Sequence, residues 1–281
     1  DLHSFPTRRS SDLVGVMMRT ILLSVIALVA TMSCVAQGRI KGDGQTVERQ
    51  RSVGRYKALS VGSGLDVEIS GDLTSGIVVV ADENLQEYVE TKVEDGTLKI
   101  KMKQGYGYRF NGKSPKVIVP NTGQLTAISA SGGSDVYTKN TTLQGDALSV
   151  TCSGGSDFKG DINVKTLDVA CSGGSDFNAS VETERCDLAI SGGSDGDLSG
   201  HANVCSVSIS GGSDFNAHRF VIKDCDLSVS GGSDAEIHCT ERLSAKVGGG
   251  SDVMYTGDCT VTMSVDKSSS LKRRPDRKSV V

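Results

Sequence analysis

Along residues 148–247 apolar side chains recur in threes at alternate positions, and each set ends one residue before the same glycine-rich pentapeptide. The sets are Leu148/Val150/Cys152, Leu167/Val169/Cys171, Cys186/Leu188/Ile190, Cys205/Val207/Ile209, Cys225/Leu227/Val229 and Leu243/Ala245/Val247, separated by polar or small residues such as Asp168, Ser206 and Asp226. Strict alternation predicts a strand with one buried face. It resumes after the pentapeptide as Phe158/Gly160/Ile162, Phe177/Ala179/Val181, Gly196/Leu198, Phe215/Ala217, Ala235/Ile237/Cys239 and Val253/Tyr255. Each unit thus carries two short strands that meet at a glycine corner. A second, variable corner is expected at stretches such as Lys165-Thr166 and Glu182-Thr183-Glu184-Arg185.

The pentapeptide Ser-Gly-Gly-Ser-Asp begins at Ser131, Ser153, Ser172, Ser191, Ser210 and Ser230, with Gly-Gly-Gly-Ser-Asp at Gly248; the intervals are 22, 19, 19, 19, 20 and 18 residues. A period of this size is one coil of a solenoid, whose apolar face is buried only by stacking on its neighbours. In-register stacking places equivalent residues about 4.8 Å apart. Gly-Gly suits the corner because both residues take φ > 0 at no steric cost, and the flanking serine and aspartate can hydrogen-bond to backbone there. The predicted fold class is all-β, a single-stranded parallel β-helix with coils of about 19 residues.

Upstream, Tyr56 to Ile69 repeats this grammar with Gly62-Ser63-Gly64-Leu65-Asp66 at its corner, so the solenoid is expected to begin there. Tyr88 to Met102 reads as a hairpin about Asp95-Gly96, and Lys116 to Pro120 as a further strand. Ala81 to Lys116 is read as longer coils with an elaborated side. Val261/Met263/Val265 supply a last strand.

Composition sharpens this picture. With 34 Gly, 6 Phe, 6 Tyr and no Trp in 281 residues, the core must come from small and β-branched side chains in thin layers. A formal net charge of -4 gives no basic field for nucleic acid. From Met18 a short basic start, the apolar run Ile21 to Ala30 and Cys34-Val35-Ala36-Gln37 read as a secretory signal cleaved after Ala36, too short for a membrane span. A lipoprotein acylated at Cys34 is the rival reading. Asp1 to Val16 precede the first methionines and resemble translated sequencing-adapter sequence, as does Arg273 to Val281. The expected organisation is extraneous sequence at 1–17, signal 18–36, lead-in 37–53, β-helix 54–265 and a tail at 266–281.

The signal followed by Leu59-Ser60-Val61-Gly62-Ser63-Gly64-Leu65-Asp66-Val67, the Val93-Glu94-Asp95-Gly96-Thr97-Leu98 segment and the serial pentapeptides together resemble a bacterial family, the auto-transporter adhesin head GIN domain, common in Bacteroidetes. The resemblance covers about Gly54 to Val265. It implies a right-handed, pectin-lyase-like β-helix exported to the periplasm, outer surface or extracellular space, with a role in adhesion and no catalytic residues.

Five groups of residues invite a chemical reading. Asp135, Asp157, Asp176, Asp195, Asp214, Asp234 and Asp252 form one column, read as a structural turn ladder, with calcium as a speculative occupant because carboxylate and hydroxyl oxygens suit a hard cation. No other metal and no cofactor is expected. Seven cysteines remain after signal cleavage; Cys152 and Cys171 share one inward column, Cys186, Cys205 and Cys225 another, and Cys239 and Cys259 stand apart. They are read as buried small hydrophobes, because in-register neighbours with Cβ atoms about 4.8 Å apart exceed the usual disulfide reach. His218 and His238 fall in adjacent coils and are expected side by side; a metal or catalytic role is disfavoured against an exposed pair. Tyr106, Tyr108, Arg109 and Phe110 break the monotony and are the candidate binding residues, since tyrosines spaced by glycine give contact area at low entropic cost. A polysaccharide lyase or hydrolase with a site in the groove is the alternative to a non-catalytic structural or adhesive module. Repeated identical corners argue against a unique active site. The expected partner is a cell-surface glycan or protein, with a lean to a homo-oligomer because solenoid ends are sheet edges.

Overall fold

The computed structural model describes residues 39–274. The adapter-like start, the signal at 18–36 with Cys34, and residues 275–281 of the tail lie outside the described residues. The chain divides into two compact units, one of Asp1–Arg39 with Gly105–Gly107, the other of Ile40–Gln104 with Tyr108–Val281. Of the first, Arg39 and residues 105–107 are described; Tyr106 there is exposed. The second carries the core.

The described residues are 67% strand and 3% helix, stacked as a parallel β-solenoid of about eight turns. The successive strands Phe158–Ser172, Phe177–Ser191, Gly196–Ser210 and Asp214–Ser230 pair in parallel with equivalent residues in register, Leu167 on Cys186 on Cys205 on Cys225. The two short strands expected in each coil are hydrogen-bonded as one element, because the second corner is gentle enough for the ladder to run through it. That corner is still visible in burial. In Phe158–Ser172 the inward residues are Ile162 and Val164, then Leu167 and Val169, so the alternation slips by one at Lys165-Thr166. A single phase slip turns the chain while keeping both arms' apolar faces on one core.

The glycine corners turn more sharply. Both glycines of every pentapeptide have φ between 66 and 77. The stack also needs their lack of a side chain: a Cβ on Gly249 would lie 2.7 Å from the Gly231 nitrogen. Corner backbones instead hydrogen-bond directly, Gly154 N–H to the Ser172 carbonyl at 3.2 Å and Gly155 N–H to Gly173 at 3.1 Å.

The order of rungs departs from the order of the chain. Ala58–Val61 and Asp66–Ser70 lie between two other rungs: on one side Ala127–Ser131 and the start of Val136–Ser153, on the other Thr97–Met102 and Lys116–Pro120. The rung that contains Ala58 is therefore internal to the stack rather than terminal. Thr97–Met102 and Lys116–Pro120 form the end rung, and antiparallel strands cover it. Val89–Glu94 runs antiparallel to Thr97–Met102 through the expected Asp95-Gly96 turn, Ile77–Asp82 runs antiparallel to Lys116–Pro120, and Thr46–Arg51 lies antiparallel on Ile77–Asp82. A 3-10 turn at Glu83–Tyr88 joins the cover. Buried Gln86 donates to the carbonyls of Val47 and Val79, and Arg51 donates to those of Gln86 and Val89.

At the far end the ladder continues past Val265. Thr260–Val265 pairs with Arg242–Val247, and Ser270–Arg273 pairs with Asp252–Tyr255, so residues 266–270 form one more corner.

Candidate functional site

The two polar residues of each pentapeptide part company. The second serine points inward: Ser134, Ser156, Ser175, Ser194, Ser213, Ser233 and Ser251 are all 0% exposed. A buried hydroxyl without partners costs stability, and here none lacks one. Each serine N–H donates to the Oγ of the next serine along the stack, at 3.0–3.2 Å from Ser134 to Ser251. Leu65 N–H opens the column on Ser134 Oγ, and Ser251 N–H closes it on Ser269 Oγ. Where the outgoing bond is resolved, the hydroxyl donates to the first serine of its own corner, as Ser175 does to the Ser172 carbonyl at 3.0 Å. Ser269 thus stands in the pentapeptide serine position of Asp266-Lys267-Ser268-Ser269-Ser270, a corner without glycine that sequence reading missed. Its signal is the spacing of 18 residues from Ser251.

The aspartate beside each serine points outward. Asp157 Oδ1 accepts from Asp176 N–H at 3.0 Å, Asp195 Oδ1 from Asp214 N–H at 3.2 Å and Asp234 Oδ1 from Asp252 N–H at 3.3 Å. Each of these bonds links one corner to the next. Burial first, and neighbouring aspartates second, push the carboxyls of Asp135 and Asp176 above the ordinary range. Among the described residues no group of three or more His, Cys, Asp or Glu is placed to hold a metal ion.

Alongside the aspartates runs a second outward column, Asn178, Asp197, Asn216, Glu236 and Met254. Together the columns line an open groove of about 960 Å³ bearing seven carboxylates and one guanidinium, that of Arg274. Arg274 pairs with Glu236 at 3.0 Å, and Arg219 reaches Asp197 at 3.2 Å. His218 lies at this groove, but it does not stand beside His238. An insertion displaces the register between Ala217 and Val221, and His238 is paired with Val221.

The aromatic stretch mixes exposed and packed side chains. Tyr106 belongs to the first unit, whereas Tyr108, Arg109 and Phe110 belong to the second. Tyr108 donates to the Lys103 carbonyl at 2.7 Å, and its ring lies 5.9 Å from that of Tyr88. Tyr108 and Phe110 are half-buried against the core, while Arg109 is exposed.

The cysteine reading requires one correction. Cys186 and Cys205 are joined as a disulfide with a Cα separation of 4.7 Å. In-register neighbours can bridge because rotamers swing the two sulfurs toward each other, and this separation lies within the usual Cα range. Cys152, Cys171, Cys225 and Cys239 are free and buried, and Cys259 is half-buried. Burial pushes the Cys225 thiol well above its ordinary range.

This is a parallel β-solenoid with a serine-lined interior corner and a carboxylate-lined outer face. The match of residues 55–259 to the family described as "Putative auto-transporter adhesin, head GIN domain" gives the particular kind, and the chain belongs to that family. Solved structures share the fold. A protein described as a putative adhesin from Parabacteroides merdae ATCC 43184 aligns with TM-score 0.78 at 22% identity, covering 84% of this chain and 99% of its own. Two from Parabacteroides distasonis ATCC 8503, described as a putative adhesin and a putative lipid binding protein, align with TM-score 0.77 at 24% and 19% identity, covering 84% of this chain and 100% of theirs. No curated protein matches the sequence.

Proposed function

We propose that the protein is an exported, non-catalytic adhesion module that binds a cell-surface glycan or protein through the repetitive groove face of its solenoid. Membership of an adhesin family supports the adhesive class. Among the described residues, no helix is long and apolar enough to cross a membrane. The observation that carries the reading is the carboxylate column repeated at rung spacing along an open groove. Each rung offers the same acceptor geometry. Weak equivalent contacts then add through effective concentration rather than through one deep pocket.

A glycoside hydrolase needs one carboxyl pair at a defined separation with opposed roles. The groove instead repeats a carboxyl without singling one out. The test is a glycan array with the secreted protein and its Asp195→Asn/Asp214→Asn/Asp234→Asn variant. Asparagine keeps an acceptor oxygen but removes the charge, so a loss of binding on the order of tenfold is expected from weakened multivalent contacts. Release of new reducing or unsaturated ends from a polysaccharide, abolished by a point substitution in the groove, would overturn the non-catalytic reading.

A further inference from the structure

The two ends of the stack are built on opposite plans. At one end the Thr97–Met102 and Lys116–Pro120 rung is covered by antiparallel strands, and the added Thr46–Arg51 strand carries Glu48, Arg49 and Arg51. At the other end no strand among the described residues pairs with the outer edge of the last rung. Among the described residues, Thr260–Val265 pairs with Asp234–Val247 along one edge only. Val261, Met263 and Val265 continue the inward columns of Leu243, Ala245 and Val247. Those three partners are buried, yet Met263 is 61% exposed, more than any other large hydrophobic among the described residues.

This edge also lacks the devices that keep strand edges apart. Thr260-Val261-Thr262-Met263-Ser264-Val265 has no charge, proline or glycine, and two of the three residues on each face are β-branched valine or threonine. Its pattern is self-complementary. For two inward faces to merge in an antiparallel pair, odd-numbered residues must oppose odd-numbered residues. A two-fold axis through Met263 does this, setting Met263 against Met263 of a second copy and Val261 against Val265.

We propose that this last rung is the interface with a second copy of the chain, joined end to end by antiparallel pairing of the two Thr260–Val265 strands about Met263. The occupant follows from the match of the edge to itself, from its lack of charge and from continuity of the sheet and core across the axis. Because the opposite end is covered by antiparallel, charged strands, the assembly closes at two copies rather than growing into a filament. Lys272 and Arg273 lie on the companion strand of the same rung. Their like charges meet across the axis, so added salt should tighten the dimer.

Light scattering after size exclusion, at tens of micromolar, should give a dimer. Met263→Lys should raise the dimer dissociation constant on the order of 100-fold, by setting two ammonium groups in an apolar seam, with an unchanged thermal melt of the monomer because the residue is exposed. In a Cys259→Ser background, Met263→Cys should give a covalent dimer on mild oxidation with oxidised glutathione. A monomeric wild-type protein would overturn the proposal, including one in which Met263 resists oxidation because another segment covers it. So would a dimer that survives Met263→Lys, or Met263→Cys protomers that do not cross-link. None of these outcomes bears on the adhesion reading, whose assay uses the groove.

Discussion

The pentapeptide coils and the region from Thr46 to Pro120 bury the same kind of apolar core, but their polar contacts are organised differently. In the coils one bond type repeats, serine N–H to serine Oγ, rung after rung. In the earlier region each polar contact is unique: Glu68, nearly buried, meets Lys116 at 3.0 Å, Tyr137 at 3.1 Å and Lys139 at 3.4 Å. Repetition makes one rung exchangeable for another, whereas unique contacts fix which strand lies where. A chain whose rung order differs from its sequence order needs the second kind.

The largest expected effect tests whether the two cores are equally tight. Phe177, stacked on Phe158 at 5.3 Å, and Ile100 are both fully buried. Phe177→Ala should cost about 3–5 kcal/mol and Ile100→Ala about 2–5 kcal/mol in urea unfolding. A much smaller loss in one of them would mean that its region is loosely packed. Next comes the covalent link, which only the coils possess. Removing the Cys186–Cys205 disulfide, which spans 19 residues, should cost about 3 kcal/mol, and a non-reduced digest should contain the linked peptides.

Ser194→Ala takes the acceptor from Ser175 N–H and should cost about 1–3 kcal/mol. Hydrogen exchange should speed up at Ser175 and leave the Thr46–Pro120 region unchanged. Acid separates the regions by sign. Burial raises the Glu68 carboxyl, but the hydrogen bond and charge of Lys116, with Tyr137 and Lys139, outweigh it and the net shift is downward from 4.5. Its contribution is therefore complete above about pH 4.5 and lost as pH falls through the lowered value. Asp135 and Asp176 are shifted upward from 3.8, so acidification toward 3.8 relieves them and stabilises the fold. The smallest effect follows from this: Asp176→Asn should raise Tm by about 1–2 °C at neutral pH and low salt, with the gain fading in acid and in salt.

Much of the architecture could be read from the residues because its cause is local. The alternation before each pentapeptide and its period fix the coil, and Asp95-Gly96 announces its hairpin. Rung order could not be read. The placement of Ala58–Val61 between Thr97–Met102 and Ala127–Ser131 is a choice among similar alternating strands, made by contacts such as Glu68 with Lys116 that span 48 residues. Nor does the pentapeptide say which polar residue is inside, since serine and aspartate both suit turns. Only the inward direction of the fourth position, set by the two left-handed glycines before it, makes the serine the buried partner. The last corner was hidden because Asp266-Lys267-Ser268 has no Gly-Gly. Asp266 replaces that backbone with its side chain, accepting from Gly249 N–H at 2.8 Å.

One outward column runs along the stack: Lys99, Ser60, Ser129, Thr151, Ala170, Ala189, Ser208, Ser228, Lys246 and Ser264. Spin labels on Lys246 and on one other member, read by electron–electron distance measurement, test both the stacking and the rung order. At about 4.8 Å per rung, the separation from Lys246 should be about 29 Å at Ser129, about 34 Å at Ser60 and about 38 Å at Lys99. A Ser60 label farther from Lys246 than the Lys99 label would contradict the rung order. Separations that do not lengthen rung by rung would contradict the solenoid itself.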